Sequence, residues 1–158
     1  MRPSVTEQLN GLRRILDEVV APELQDPYPA DILAGVCATL ETLAEGWARV
    51  PAFLLWDVAA TSALLADLRQ TAGPALEPEL TTDIARLLDS PQPDASDVLA
   101  LEAHHGQVRA ALERAVPVIA DRAELRELYT RLAALMRERS RRYPLTSVWR
   151  PAASAPVR

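Results

Sequence analysis

Proline placement constrains this chain more than any other feature. Its 13 prolines leave four long windows free of them, residues 30–50, 52–73, 94–116 and 118–143. A proline inside a helix removes a backbone donor and clashes with the preceding turn, at a cost of about 3 kcal/mol. The windows are therefore where helices can run, and each is filled with apolar residues at spacings of three and four. No window alternates at period two, so no sheet is expected. The prediction is an all-α fold, a single bundle of about five or six helices over residues 1–143. A Pro/Ala/Ser tail, residues 144–158, is expected to be flexible.

The windows divide into helices at recognisable signals. Ser4-Val5-Thr6-Glu7 is a Ser-x-x-Glu capping box, and Leu9, Leu12, Leu16, Val19 and Val20 follow it on one stripe. Asp26-Pro27-Tyr28-Pro29 reads as a turn. Ile32, Val36, Leu40, Leu43, Trp47 and Val50 make a second helix that should stop at Pro51. A third, from about Ala52 to Thr71, is apolar nearly all round, which predicts the most buried position. Gly73-Pro74 should end it. A shorter helix is expected over about 77–89, then a linker over Ser90–Ser96 with Pro91 and Pro93. Val98, Leu101, Val108, Leu112 and Val116 predict a fifth helix ending before Pro117. The last starts at an Asp121-x-x-Glu124 cap and runs through Leu125, Leu128, Leu132, Leu135 and Met136 to Tyr143-Pro144.

Composition narrows the function. Apolar residues are 49% of the chain and aromatics only 4%, so the core must be Leu, Ala and Val. A net charge of −5 opposes nonspecific attraction to nucleic acid or an anionic membrane. All 17 basic residues are Arg. The one cysteine, Cys37, can form neither an internal disulfide nor a thiolate cage. The N-terminus shows no apolar signal region, and the stretch from Ala52 to Ala66 is interrupted by Asp57, so no membrane span is expected. Cytoplasmic location follows as the default. No Gly-rich phosphate loop, Gly-x-Ser-x-Gly elbow or Cys-x-x-Cys pair occurs. Gly11, Gly35, Gly46 and Gly106 fall inside predicted helices, where close helix approach would account for them.

Chemistry could reside in a few polar residues. Glu102-Ala103-His104-His105 contains one Glu-x-x-His, half of the ferritin-like di-iron signature. Both histidines of the chain are here, so Glu41 and Glu45 could add carboxylates but no second imidazole exists; no metal and no cofactor are expected. His105 occupies the apolar stripe of Val98, Leu101, Val108 and Leu112, which predicts a buried imidazole in need of a partner. It reads either as a core histidine or as a pocket-lining acid or base. Asp57, in the first turns of the third helix beside Thr61 and Leu64, is explained by the helix dipole or, if buried, by an Arg or His partner. Asp57, His105 and Glu102 are the candidate pocket. Ser62 and Thr61 lie nearby, but the sequence assembles no Ser-His-Asp triad. Arg137, Arg139, Arg141 and Arg142 read either as an anion-binding patch or as cations favoured at a helix C-terminus. Trp47 and Trp56 fit a core or an interface, and Trp149 in the tail could dock on a partner. Two-fold pairing is the commonest soluble assembly, and a homodimer is expected.

Glu7-Gln8-Leu9, Arg13-Arg14-Ile15-Leu16, Val19-Val20-Ala21-Pro22 and then Ala30 to Val36 resemble a family of short bacterial helical proteins. Their genes accompany aminoglycoside-phosphotransferase-like kinases and acyl-CoA dehydrogenases, as in the levulinic acid catabolism accessory type. The resemblance covers about the first third of the chain, with an echo at Arg139 to Leu145. It implies a non-catalytic accessory subunit linked to acyl-CoA or hydroxyacyl-CoA metabolism, with a kinase or an acyl-CoA dehydrogenase as partner. It transfers no functional residue. The other reading of the residues is a small-molecule-binding or enzymatic bundle with its pocket at His105 and Asp57.

Overall fold

Residues 2–145 are described in the computed structural model of the chain, and Trp149 and the rest of the tail lie outside them. Among the described residues every regular element is helical and no strand occurs, as the proline windows predict. The helices are α1 (Val5–Ile15), α2 (Pro27–Gly46), α3 (Val50–Ala72), α4 (Pro78–Asp89), α5 (Val98–Asp121) and α6 (Arg126–Arg142). A 3-10 turn, Trp47–Arg49, carries the helical path from α2 into α3, so that Pro27–Ala72 is one run and the helices count as five.

The differences from expectation lie at the prolines. Asp26 is not in a free turn but caps α2, accepting from the Tyr28 N–H at 3.0 Å. Pro27 and Pro29 sit in the first turn, where a helix has no use for their missing donors. Pro51 does not stop the helical path: it is the second residue of α3, directly after the 3-10 turn. Pro117 lies inside α5, which continues to Asp121 and buries Ile119. The Asp121 cap does not form: Asp121 closes α5, and α6 starts after a 3-10 turn with no side-chain cap. The Ser4 capping box forms in both directions. With Pro27–Ala72 continuous, the run includes a stretch long and apolar enough to cross a membrane, by length and composition only, where the interrupted window at Ala52 to Ala66 predicted none. Of that stretch 39% is buried within the fold.

Contacts group the chain into two compact units, Met1–Arg49 with Pro144–Arg158, and Val50–Tyr143. In the first, α1 and α2 form an antiparallel hairpin. The start of α1 meets the end of α2, where Thr6 Oγ1 donates to the Ala44 carbonyl at 3.4 Å and Trp47 Nε1 donates to Thr6 Oγ1 at 3.1 Å. Buried Cys37 and Ala44 mark the inner side of α2, while α1 buries no residue completely.

In the second unit α3 packs against α4, α5 and α6, the central position that its all-round apolarity predicts. Leu65 and Leu68 of α3, Leu80 and Ile84 of α4, Ile119 of α5 and nearby Leu125 have lost essentially all solvent contact. Each such side chain contributes about 1.5–3 kcal/mol of burial. A smaller cluster of Phe53, Leu54 and Leu101 forms a second apolar layer.

Close approach accounts for one helical glycine only. A Cβ on Gly46 would meet the Pro144 carbonyl oxygen, and would lie 2.8 Å from the Leu145 side chain. Gly11, Gly35 and Gly106 face open space. Gly106→Ala therefore gains about 0.5–1 kcal/mol of stability, and Gly46→Ala loses stability because backbone must move. Paired urea melts check the opposite signs; a destabilised Gly106→Ala would mean that something packs there.

Candidate functional site

Three helices of the Val50–Tyr143 unit each interrupt an apolar stripe with a polar residue. On α3 the order is Phe53, Asp57, Thr61, Leu64; on α5 it is Leu101, His105, Val108, Leu112; on α6 it is Leu128, Leu132, Leu135, Arg139. The interruptions meet. His105 Nε2 lies 2.6 Å from Asp57 Oδ2, and Arg139 Nε donates to Asp57 Oδ1 at 2.7 Å. Arg139 Nη2 donates to Thr61 Oγ1 at 3.0 Å, and Nη1 approaches Met136 Sδ at 3.5 Å. Asp57 and Thr61 have 0% exposure, and the His105 and Arg139 side chains retain 13% each.

The electrostatics follow from this enclosure. Burial alone raises the Asp57 carboxyl. The hydrogen bonds from His105 and Arg139, with the guanidinium charge, overcome it and hold the carboxyl below its ordinary value. Asp57 is therefore an anion with both oxygens engaged. The dipole explanation falls away, because Asp57 lies two turns inside α3 and the dipole acts within the first turn. Phe53 frames the site, edge-on to the His105 ring at 6.3 Å and to Tyr143 at 5.4 Å.

The other candidate residues lie elsewhere. Glu102 is exposed on α5, and His104 is half-buried. Among the described residues no group of three or more His, Cys, Asp or Glu converges as a metal site requires. The four arginines of α6 do not form one patch. Arg139 turns inward to Asp57, and Arg142 pairs with Glu138 at 2.6 Å while its guanidinium stacks 4.5 Å over Trp56. Arg141 lies 3.7 Å from Glu138, and Arg137 is exposed. Cys37 is buried in the other unit; burial and a hydrogen bond to Asp17 push its thiol upward, away from the reactive thiolate.

The Thr61 hydroxyl is engaged by Arg139, while His105 Nε2 meets Asp57. An apolar groove of about 340 Å³ between α5 and α6 is lined by Leu112, Val116, Tyr129, Leu132, Met136 and Arg139, among others, but not by Asp57 or His105. Within the pair Asp57 is fully buried, and the His105 side chain keeps 13% exposure. Sequence reading places Arg139 in the anion-binding patch and not with Asp57 and His105. Extending the α6 stripe by four from Leu135 lands on Arg139, the same phase argument that singles out His105.

No family model matches the sequence, no curated protein matches it, and no solved structure matches the fold.

Proposed function

We propose that the chain is a non-catalytic helical interaction protein. One observation carries this reading: the α1–α2 hairpin exposes a set of large apolar side chains, Leu12, Ile15, Val19, Ile32 and Val36 among them, while Asp57 is fully buried with both oxygens engaged. A solvent-facing apolar set is useful to a partner, and a carboxylate with both oxygens engaged and no exposure offers nothing to a substrate.

The accessory role in acyl-CoA or hydroxyacyl-CoA metabolism, beside a kinase or an acyl-CoA dehydrogenase, rests on the N-terminal resemblance alone. That resemblance covers the hairpin, the element offered here as the contact surface. Affinity isolation of the full chain from its source organism tests the proposal when wild type, Leu12→Asp and His105→Leu are run in parallel. The expected result is a stoichiometric complex reduced about tenfold or more by the hairpin charge and kept by His105→Leu. A complex, or a turnover, that ignores Leu12→Asp and disappears with His105→Leu would overturn it.

A further inference from the structure

The apolar side chains of the hairpin fall on one face. At 3.6 residues per turn, Leu12 and Ile15 lie roughly a quarter turn from the inner stripe of Leu9 and Leu16. Ile32 and Val36 lie a similar angle from the inner stripe of Leu33, Cys37 and Leu40 on α2. The two helices run antiparallel, so these offsets turn to the same side. Val5 extends the stripe on α1, and Val19 is exposed just beyond it, in the π-helical turn Leu16–Val20 that follows. Exposures are 53% for Leu12, 54% for Ile15, 62% for Val19 and 52% for Ile32, values that belong to no ordinary core position. The polar residues in the same phase, Gln8 and Thr39, are uncharged. Asp17, Glu41 and Glu45 fall on the opposite side of the hairpin.

We infer that this face is covered by the same face of a second copy of the chain, the two hairpins stacking into a four-helix layer. The inference rests on the reading above that the protein works by association, and it names the occupant. Three arguments select a second copy. The face is uncharged, so two chains of net charge −5 meet there without opposed like charges, and a charged partner would find nothing to pair with. Its six aliphatic residues present on the order of 500 Å² of surface, in the upper range of what a monomer leaves exposed and about two-thirds of the roughly 800 Å² per partner of a stable interface. Two antiparallel helices with one apolar face are half of a four-helix bundle, and a two-fold axis supplies the other half from identical residues.

Sedimentation equilibrium of the full chain from about 1 to about 100 µM tests this, across the range where an interface of this size associates. The expected mass is twice 17.3 kDa. Ile15→Asp should return it to the single-chain mass with helical circular dichroism unchanged, because Ile15 is not part of the chain's own core. Val36→Asp, on the other helix of the same face, should do the same and stands in if Ile15→Asp fails to fold. Leu99→Asp, at a residue of α5 that is 79% exposed, should leave the dimer intact. A wild-type monomer at the highest concentration, or a dimer untouched by both face variants, overturns the inference. The broader interaction reading is judged separately. A monomeric wild type that is still held by a heterologous partner, and released by Ile15→Asp, sinks the second copy and leaves that reading standing.

Discussion

Asp57→Asn lowers the free energy of unfolding by about 3–5 kcal/mol, the cost of breaking a buried ion pair from one side. The substitution preserves shape, so no cavity contributes. One carboxylate oxygen becomes an NH2 group, which cannot accept from His105 or Arg139. The Arg139 side chain, 13% exposed, is left without its counter-ion. Denaturant titration at fixed protein concentration measures the loss, since association adds to apparent stability. A loss below about 1 kcal/mol would class the pair with surface ion pairs and contradict its enclosure. The combined Asp57→Leu, His105→Leu, Arg139→Met chain should recover most of the loss, because an apolar layer of similar volume is often as stable as a buried ionic one.

The same pair sets a pH dependence whose sign can be worked out. Burial raises the Asp57 carboxyl, and the bonds from His105 and Arg139 more than reverse this, so the folded carboxyl lies below its unfolded value of about 3.9. Its contribution is complete above the unfolded value and is lost as pH falls through the folded one. Wild type should therefore lose stability more steeply than Asp57→Asn below about pH 4, and the two should run parallel above about pH 5 with respect to this group. Exposed carboxylates lowered by their partners, such as Asp83 and Glu138, are common to both chains and cancel in the difference.

Why three helices meet at a charge is a question of register. Apolar stripes can slide past one another by a turn with modest loss, whereas Asp57 reaches His105 and Arg139 in one alignment only. Polar groups that fix register are the best-attested use of buried charge. That alignment was partly legible. The interruption of the α5 stripe by His105 and of the apolar α3 by Asp57 can be read from spacing alone, because each is a polar residue where the helical phase demands an apolar one. Arg139 was masked by its neighbours: among Arg137, Arg141 and Arg142 it looks like one member of a charged helix end. That the three converge depends on how α3, α5 and α6 pack, which no single helical phase contains. The helices themselves were legible as periodic windows, but their ends were not. Proline is neutral in a first turn, so Pro27 and Pro29 begin a helix as readily as they stop one. Pro117 was misread for the opposite reason, since packing of Ile119 outweighs the lost hydrogen bond. The stripe of α1 misled in another way: it is apolar over more than one face, and the hairpin buries only part of it.

His105→Ala should cost about 2–4 kcal/mol, from the space it empties and from the Asp57 oxygen it orphans. The two contributions separate by substitution. His105→Leu fills the space and completes the stripe of Leu101, Val108 and Leu112, but leaves Asp57 Oδ2 without its donor at 2.6 Å. It should therefore lie between Ala and wild type. His105→Gln keeps an N–H donor on a side chain of comparable reach, and should be the least costly of the three. His104→Ala, one position off the stripe on a half-buried side chain with no part in the Asp57 cluster, should be nearly neutral. Urea unfolding at neutral pH gives the order, and the unchanged slope of each transition shows that the unfolded chains are comparable. If the alanine variants at 104 and 105 are equally destabilised, the phase of α5 is wrong. If Gln at 105 is no better than Leu, the donor to Asp57 contributes nothing, and the layer is held by Arg139 alone.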